Sequence, residues 1–109
     1  METNSTQGNE PKIRKFVLDE DVKLGEQVSI SKGTEIMVRK PGSGELRGLT
    51  LMALSQLDVD ALHKLAPRIT TPVILQNATM DPADLMQFGG EVMDFLLPTA
   101  AKQAASQTE

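Results

Sequence analysis

The pattern of apolar and polar positions changes its period once along the chain. Phe16 to Leu18, Val22 to Leu24, Val28 to Ile30 and Glu35 to Val38 are short, β-branched and partly alternating, which is the patterning of half-buried strands. Gly25 and Glu26, then Lys32 and Gly33, stand between these runs and supply turns or a bulge. The expected result is a hairpin or small three-stranded meander over residues 13–40. A lone hairpin is marginal in water, so this one needs something to pack against.

Pro41 to Gly44 ends the strand patterning, and helical spacing follows. Ser43 is placed to cap a helix carrying Leu46, Leu49, Met52 (or Ala53) and Leu57 on one face, with Glu45 in its first turn. Asp58 caps a second short helix in which Val59, Leu62 and Leu65 share a face, until Pro67 stops it. Pro72 keeps the next stretch extended, and Val73 to Leu75 is a short apolar piece suited to tucking under the helices. The third helix has the clearest start, with Asp81 as N-cap and Pro82 at the first helical position. Leu85, Phe88, Val92 and Phe95 form its apolar stripe, widened by Met86, Met93 and Leu96, and Pro98 closes it. Gly89 and Gly90 interrupt this helix at about 1 kcal/mol each relative to Ala. Either the helix kinks there or another element approaches closely, from within the domain or from a partner.

The expected fold is α+β: a small N-terminal β-hairpin or meander (12–41) followed by a three-helix part (43–98). Residues 1–11 and 99–109 are too polar to bury a face and are read as disordered tails. With 109 residues and polar ends, the core is small, and it contains only Phe16, Phe88 and Phe95 as aromatics. Such a Leu-, Ile-, Val- and Met-based core packs adaptably and often gains stability from a partner or from self-association.

Composition removes several function classes. There is no cysteine, so disulfides and thiolate metal sites are excluded. A net charge of -4 with scattered basic residues argues against nucleic acid as a partner; Lys12, Arg14 and Lys15 read as a solvated strand entrance. No apolar run approaches the roughly 20 residues that span a bilayer, and Met1 to Glu10 carries no export-signal pattern. No membrane partner is expected.

Little in the chain suggests catalysis. The single histidine, His63, has no recognisable nucleophile or carboxylate partners in the sequence. The acidic groups at Asp19 to Asp21, Asp58 and Asp60, and Asp81 and Asp84 lack calcium-loop spacing and suit a polar turn and helix starts. Gly42 to Gly44 is not a phosphate loop, because Glu45 and Leu46 stand where Lys and Ser or Thr are required. No cofactor, metal or enzymatic activity is expected. Arg39, Arg47 and Arg68 each sit at an element boundary, where a guanidinium can hold neighbouring segments together through carboxylates or form part of a partner-facing surface.

Read in order, several segments resemble the tail assembly chaperones of contractile-tailed temperate phages, including Mu-like and related prophages. The matching stretches are Val17 to Gly25; Arg39 and Pro41; Gly44 to Leu49; Leu62; Leu65 to Thr70 with Pro72; and Met80 to Leu85 leading into a helix that ends near Phe95. The likeness covers about residues 16–97, with Lys40 standing where an acid is common and a slightly longer hairpin at Ser31 to Gly33. It implies a non-catalytic protein in the host cytoplasm, absent from the mature virion. Such a protein holds the long helical tape measure protein soluble while the tail tube polymerises around it. It also implies that a longer product of programmed frameshifting engages the tail tube protein. The alternative is a minor structural subunit of the tail or baseplate. The motif and candidate partner-binding residues are Arg39, Pro41, Gly44, Leu46, Arg47, Leu49, Pro67, Arg68, Ile69, Thr70, Leu85, Phe88, Gly89 and Val92.

Overall fold

The computed structural model describes residues 13–97; the two segments read as tails lie outside the described residues. Strands β1 (Ile13–Val17), β2 (Val22–Leu24), β3 (Gln27–Ile30) and β4 (Glu35–Arg39) come first. They are followed by α1 (Leu51–Ser55), α2 (Val59–Ile69), a two-residue β5 (Thr70–Thr71) and α3 (Pro82–Leu96). The α+β reading holds: four strands lead, and three helices follow with the short β5 between the second and the third.

The strand region is not one meander. β1 skips its neighbours and pairs antiparallel with β4, from Ile13 opposite Arg39 to Val17 opposite Glu35. β4 in turn pairs with β5, making a sheet of order β1-β4-β5, while β2 and β3 form a separate hairpin. The neck between the two is closed by Leu18 N–H on Thr34 O (3.1 Å) and Gly33 N–H on Leu18 O (2.8 Å). Gly33 turns the chain there at φ 84°, a conformation that side chains disfavour. The hairpin is anchored at its far side by Lys23, which exchanges both backbone bonds with Thr79 (3.0 and 2.7 Å). Sequence patterning could not choose β4 over β2 as the partner of β1, because both have apolar alternation of the right length.

Alternation decides the faces. Phe16, Leu18, Ile36 and Val38 point inward and are buried, whereas Ile13, Lys15, Val17, Glu35 and Arg39 are exposed. α3 lies across the inner face and brings Phe88 to Phe16, with ring centroids 6.5 Å apart and tilted by 48°. Arg14 fastens the same helix from the sheet side by ion pairs to Glu91 and to Asp94 (2.6 Å to the latter).

Two helix boundaries differ from the sequence expectation. Ser43 caps no helix: residues 43–48 form consecutive turns, ended by Gly48 at φ 81°. The first helix starts later, where Thr50 accepts the Ala53 N–H through Oγ1 at 3.0 Å and the chain has re-entered extended geometry. Pro67 does not stop α2, which runs on to Ile69. A proline in the last turn removes a single i to i−4 bond, and burial of Leu65, Ala66 and Ile69 outweighs that loss. Asp58 and Asp81 cap α2 and α3 as the spacing predicts, accepting from Ala61 N (3.0 Å) and Ala83 N (3.0 Å). Of the apolar piece after Pro72, Ile74 is buried, while Val73 and Leu75 remain largely outside.

Gly89 and Gly90 have different environments. A Cβ at Gly89 would stand 2.8 Å from Leu57 Cδ2 and 3.2 Å from Leu62 Cδ1, whereas one at Gly90 would meet nothing within 4 Å. α3 runs unbroken through the pair. Gly89 therefore serves close packing of α3 on the segment around α2, inside the domain.

Candidate functional site

Three of the segments that carry the family likeness, around Arg39 and Pro41, Gly44 to Leu49 and Leu65 to Thr70, meet at one end of the fold. β4 ends at Arg39, the turns of 43–48 follow, and α2 returns to place Arg68 beside them. Arg39 Nη2 donates to Glu45 Oε2 (3.0 Å) and to the Arg68 carbonyl (2.8 Å). Arg68 Nη1 donates to the carbonyls of Glu45 (2.6 Å) and Arg47 (2.9 Å). Glu45 Oε1 accepts the Gly42 N–H at 2.8 Å. The guanidiniums thus bind mainly backbone oxygens, a use for which the planar fork suits Arg better than Lys. Strand end, turns and helix end are tied into one knot.

The Gly42 N–H, and after it the Arg39 guanidinium, hold the Glu45 carboxyl below its usual pKa, because both favour the ionised oxygens. Thr70 extends the knot inward. It is buried, pairs with Val38, donates through Oγ1 to the Ala66 carbonyl (2.7 Å) and accepts from Ile74 N (3.0 Å). Ile69 is buried beside it, and Leu46 and Leu49 are half-buried against the core. Arg47 contributes its carbonyl while its side chain is exposed; Gly44 is exposed and Pro67 half-buried.

Next to the knot lies an open cleft of about 570 Å³, lined by Ile13, Arg39, Lys40, Pro41 and Gly42. Its lining is mainly apolar, with a cationic rim from Arg39 and Lys40. Pro41 is buried in its floor, and Ile13 is half-exposed at its edge. A cleft of this shape and chemistry can accommodate an apolar side chain with acids near it. Ile13 and Lys40 were not among the candidate partner-binding residues read from the sequence. Only the β1–β4 register, which sets Ile13 opposite Arg39, brings them together.

The structure separates the remaining four from this end. Leu85, Phe88 and Val92 face the core, and Gly89 is covered by Leu57 and Leu62. A partner meeting the folded domain does not reach these side chains, so their part is to shape α3. Sequence reasoning also missed Asp84, treated there as an acid at a helix start. It is fully buried and accepts from Asp19 N (2.8 Å), Glu20 N (3.1 Å) and Gln87 Nε2 (3.2 Å). One sign was present: Asp84 precedes Phe88 by four residues and so shares the apolar stripe of α3.

His63 is half-buried on α2, and its Nδ1 has no hydrogen-bond partner among the described residues, so no carboxylate orients the ring through that atom. Among the described residues no group of three or more His, Asp or Glu could hold a metal ion, and no helix is long and apolar enough to cross a membrane.

The chain is thus a small α+β domain with a lashed turn and an open apolar cleft, and comparison with known proteins gives its class. The chain is 38% identical over 89 residues to tail assembly protein E of Escherichia phage P2, spanning 80% of this chain and 93% of that protein. It is 39% identical over 84 residues to tail assembly protein E' of the same phage, spanning 75% of this chain but only 56% of that protein. No protein-family profile matches, and no solved structure matches. The chain belongs to the family of phage tail assembly protein E, the tail assembly family of a contractile-tailed phage.

Proposed function

We propose that this protein is a non-catalytic tail assembly chaperone. It binds the tape measure protein in the host cytoplasm, keeps that long helical client soluble, and releases it as the tail tube polymerises. Membership of the tail assembly protein E family carries this reading. The cleft beside Arg39 to Gly42 supplies a physical means, since an apolar pocket with a cationic rim can hold an apolar residue of an amphipathic helix without rigid aromatic contacts.

The two phage P2 relatives match the chain almost equally in identity but very unequally in their own coverage. That inequality fits a short and a longer product sharing this region, as programmed frameshifting produces, with the extension of the longer one engaging tail tube protein.

The test is co-expression with the tape measure protein of the same phage. The expected result is a soluble client and a complex recovered by pulldown, both weakened by Ile13→Asp at the cleft edge. A client that stays insoluble and forms no complex overturns the reading. Mass spectrometry of purified particles separates it from a structural subunit of the tail or baseplate, because a chaperone is absent there.

A further inference from the structure

α3 and its C-cap residue Leu97 carry a second apolar stripe on the side away from the core. Ala83, Met86, Gly90, Met93 and Leu97 follow one another at alternating steps of three and four residues, which is the seam of a coiled coil. The core stripe of Leu85, Phe88, Val92 and Phe95 occupies the opposite side of the helix. Met86 is 57% and Leu97 46% exposed, Ala83 and Gly90 are exposed, and Met93 is partly so. At the middle of the seam Gly90 leaves a notch that no atom fills, since a Cβ there would meet nothing within 4 Å. A surface helix ordinarily presents polar side chains on this side.

We propose that this seam is a self-association surface on which α3 of a second copy packs antiparallel about a two-fold axis. The seam is complementary to itself. When the helices run antiparallel with the axis between Glu91 and Val92, Met93 of each copy enters the notch at Gly90 of the other. Met86 of each then lies against Leu97 of the other. In both of these layers a large residue meets a small or flexible one, and the two-fold makes each contact twice. The flanking charges agree: Asp94 of one copy falls beside Gln87 of the other, so no acid faces its own counterpart. Antiparallel packing also sets opposite ends of the helix dipoles side by side. A single helix pair lies at the small end of specific interfaces, so the dimer is reversible and depends on concentration. The surface is separate from the cleft at Arg39 to Gly42 and does not rest on client binding.

The full chain contains no cysteine, which allows a clean test. In sedimentation velocity the wild-type chain shifts from monomer towards dimer as concentration rises. Gly90→Glu weakens that association by about tenfold or more, because a charged side chain fills the notch. Its circular dichroism stays that of the wild type, since the side chain points into open solvent in the monomer. Single variants Gly90→Cys and Met93→Cys, mixed and oxidised, cross-link to each other more than either does to itself. A wild-type chain that remains monomeric at the highest concentration reached overturns the proposal; this is the outcome if the seam takes only a client helix. Association unaffected by Gly90→Glu, or cross-linking with no preference for the mixed pair, overturns it equally.

Discussion

The neighbouring glycines of α3 offer a controlled comparison, because one substitution at two adjacent positions gives the same backbone gain in different surroundings. Alanine in a helix interior is favoured over glycine by about 1 kcal/mol. At Gly90 nothing within 4 Å opposes the added methyl, so Gly90→Ala gains stability, by about 0.5–1 kcal/mol. At Gly89 the methyl would stand 2.8 Å from Leu57 Cδ2 and 3.2 Å from Leu62 Cδ1. Forcing a methyl into a packed site costs about 1–3 kcal/mol. Leu57 is half-buried and can swing, whereas Leu62 is buried and cannot, which places the cost toward the middle of that range. Gly89→Ala therefore loses about 1 kcal/mol net, and the two variants differ by roughly 1.5–2 kcal/mol. For a domain of this size that separation amounts to very roughly 6–16 °C in Tm. Calorimetry at concentrations where the chain is monomeric reads it directly. Equal stabilisation by both variants would refute the close approach of α3 to Leu57 and Leu62. A loss at Gly90 would refute its openness.

Three further outcomes follow from single contacts. Asp84→Ala leaves the amides of Asp19 and Glu20 without their acceptor and destabilises the fold by about 2–4 kcal/mol; amide exchange at those two residues speeds up, and unchanged exchange would sink the assignment. Thr50→Ala costs about 1 kcal/mol, as loss of an N-cap does, while Ser43→Ala is close to neutral; denaturant midpoints that rank the two the other way would restore the earlier helix start. Glu45 is held below its usual pKa by Gly42 N–H and Arg39, so its contribution is complete above the ordinary carboxylate pKa and fades as pH falls through the lowered folded value. Carboxyl-carbon NMR should show that low titration, and Glu45→Gln should remove this part of the acid sensitivity; an ordinary titration would contradict the knot geometry.

The family likeness was legible along the chain because it consists of short ordered segments, and three of them meet at one end of the molecule. Arg39, Arg47 and Arg68 were recognisable as boundary residues, yet their partners were not. Acids were the expected partners, but most of the acceptors are backbone carbonyls of Glu45, Arg47 and Arg68. Backbone oxygens carry no mark in a sequence. The cleft was invisible for the same kind of reason, since Ile13 and Lys40 become neighbours only through strand register.

The sequence by itself determined what depends on a few adjacent residues. Asp58 and Asp81 as caps, Pro82 as a helix opener and the inward stripe of α3 all follow from local geometry and period. Tertiary structure alone decided what depends on residues far apart in the chain. The pairing of β1 with β4, the continuation of α2 through Pro67, the burial of Asp84 and the division of labour between Gly89 and Gly90 are of this kind. In each, local preference is worth about 1 kcal/mol or less, except the larger penalty at Pro67. Packing of distant side chains outweighs it because burying each apolar side chain contributes roughly 1.5–3 kcal/mol.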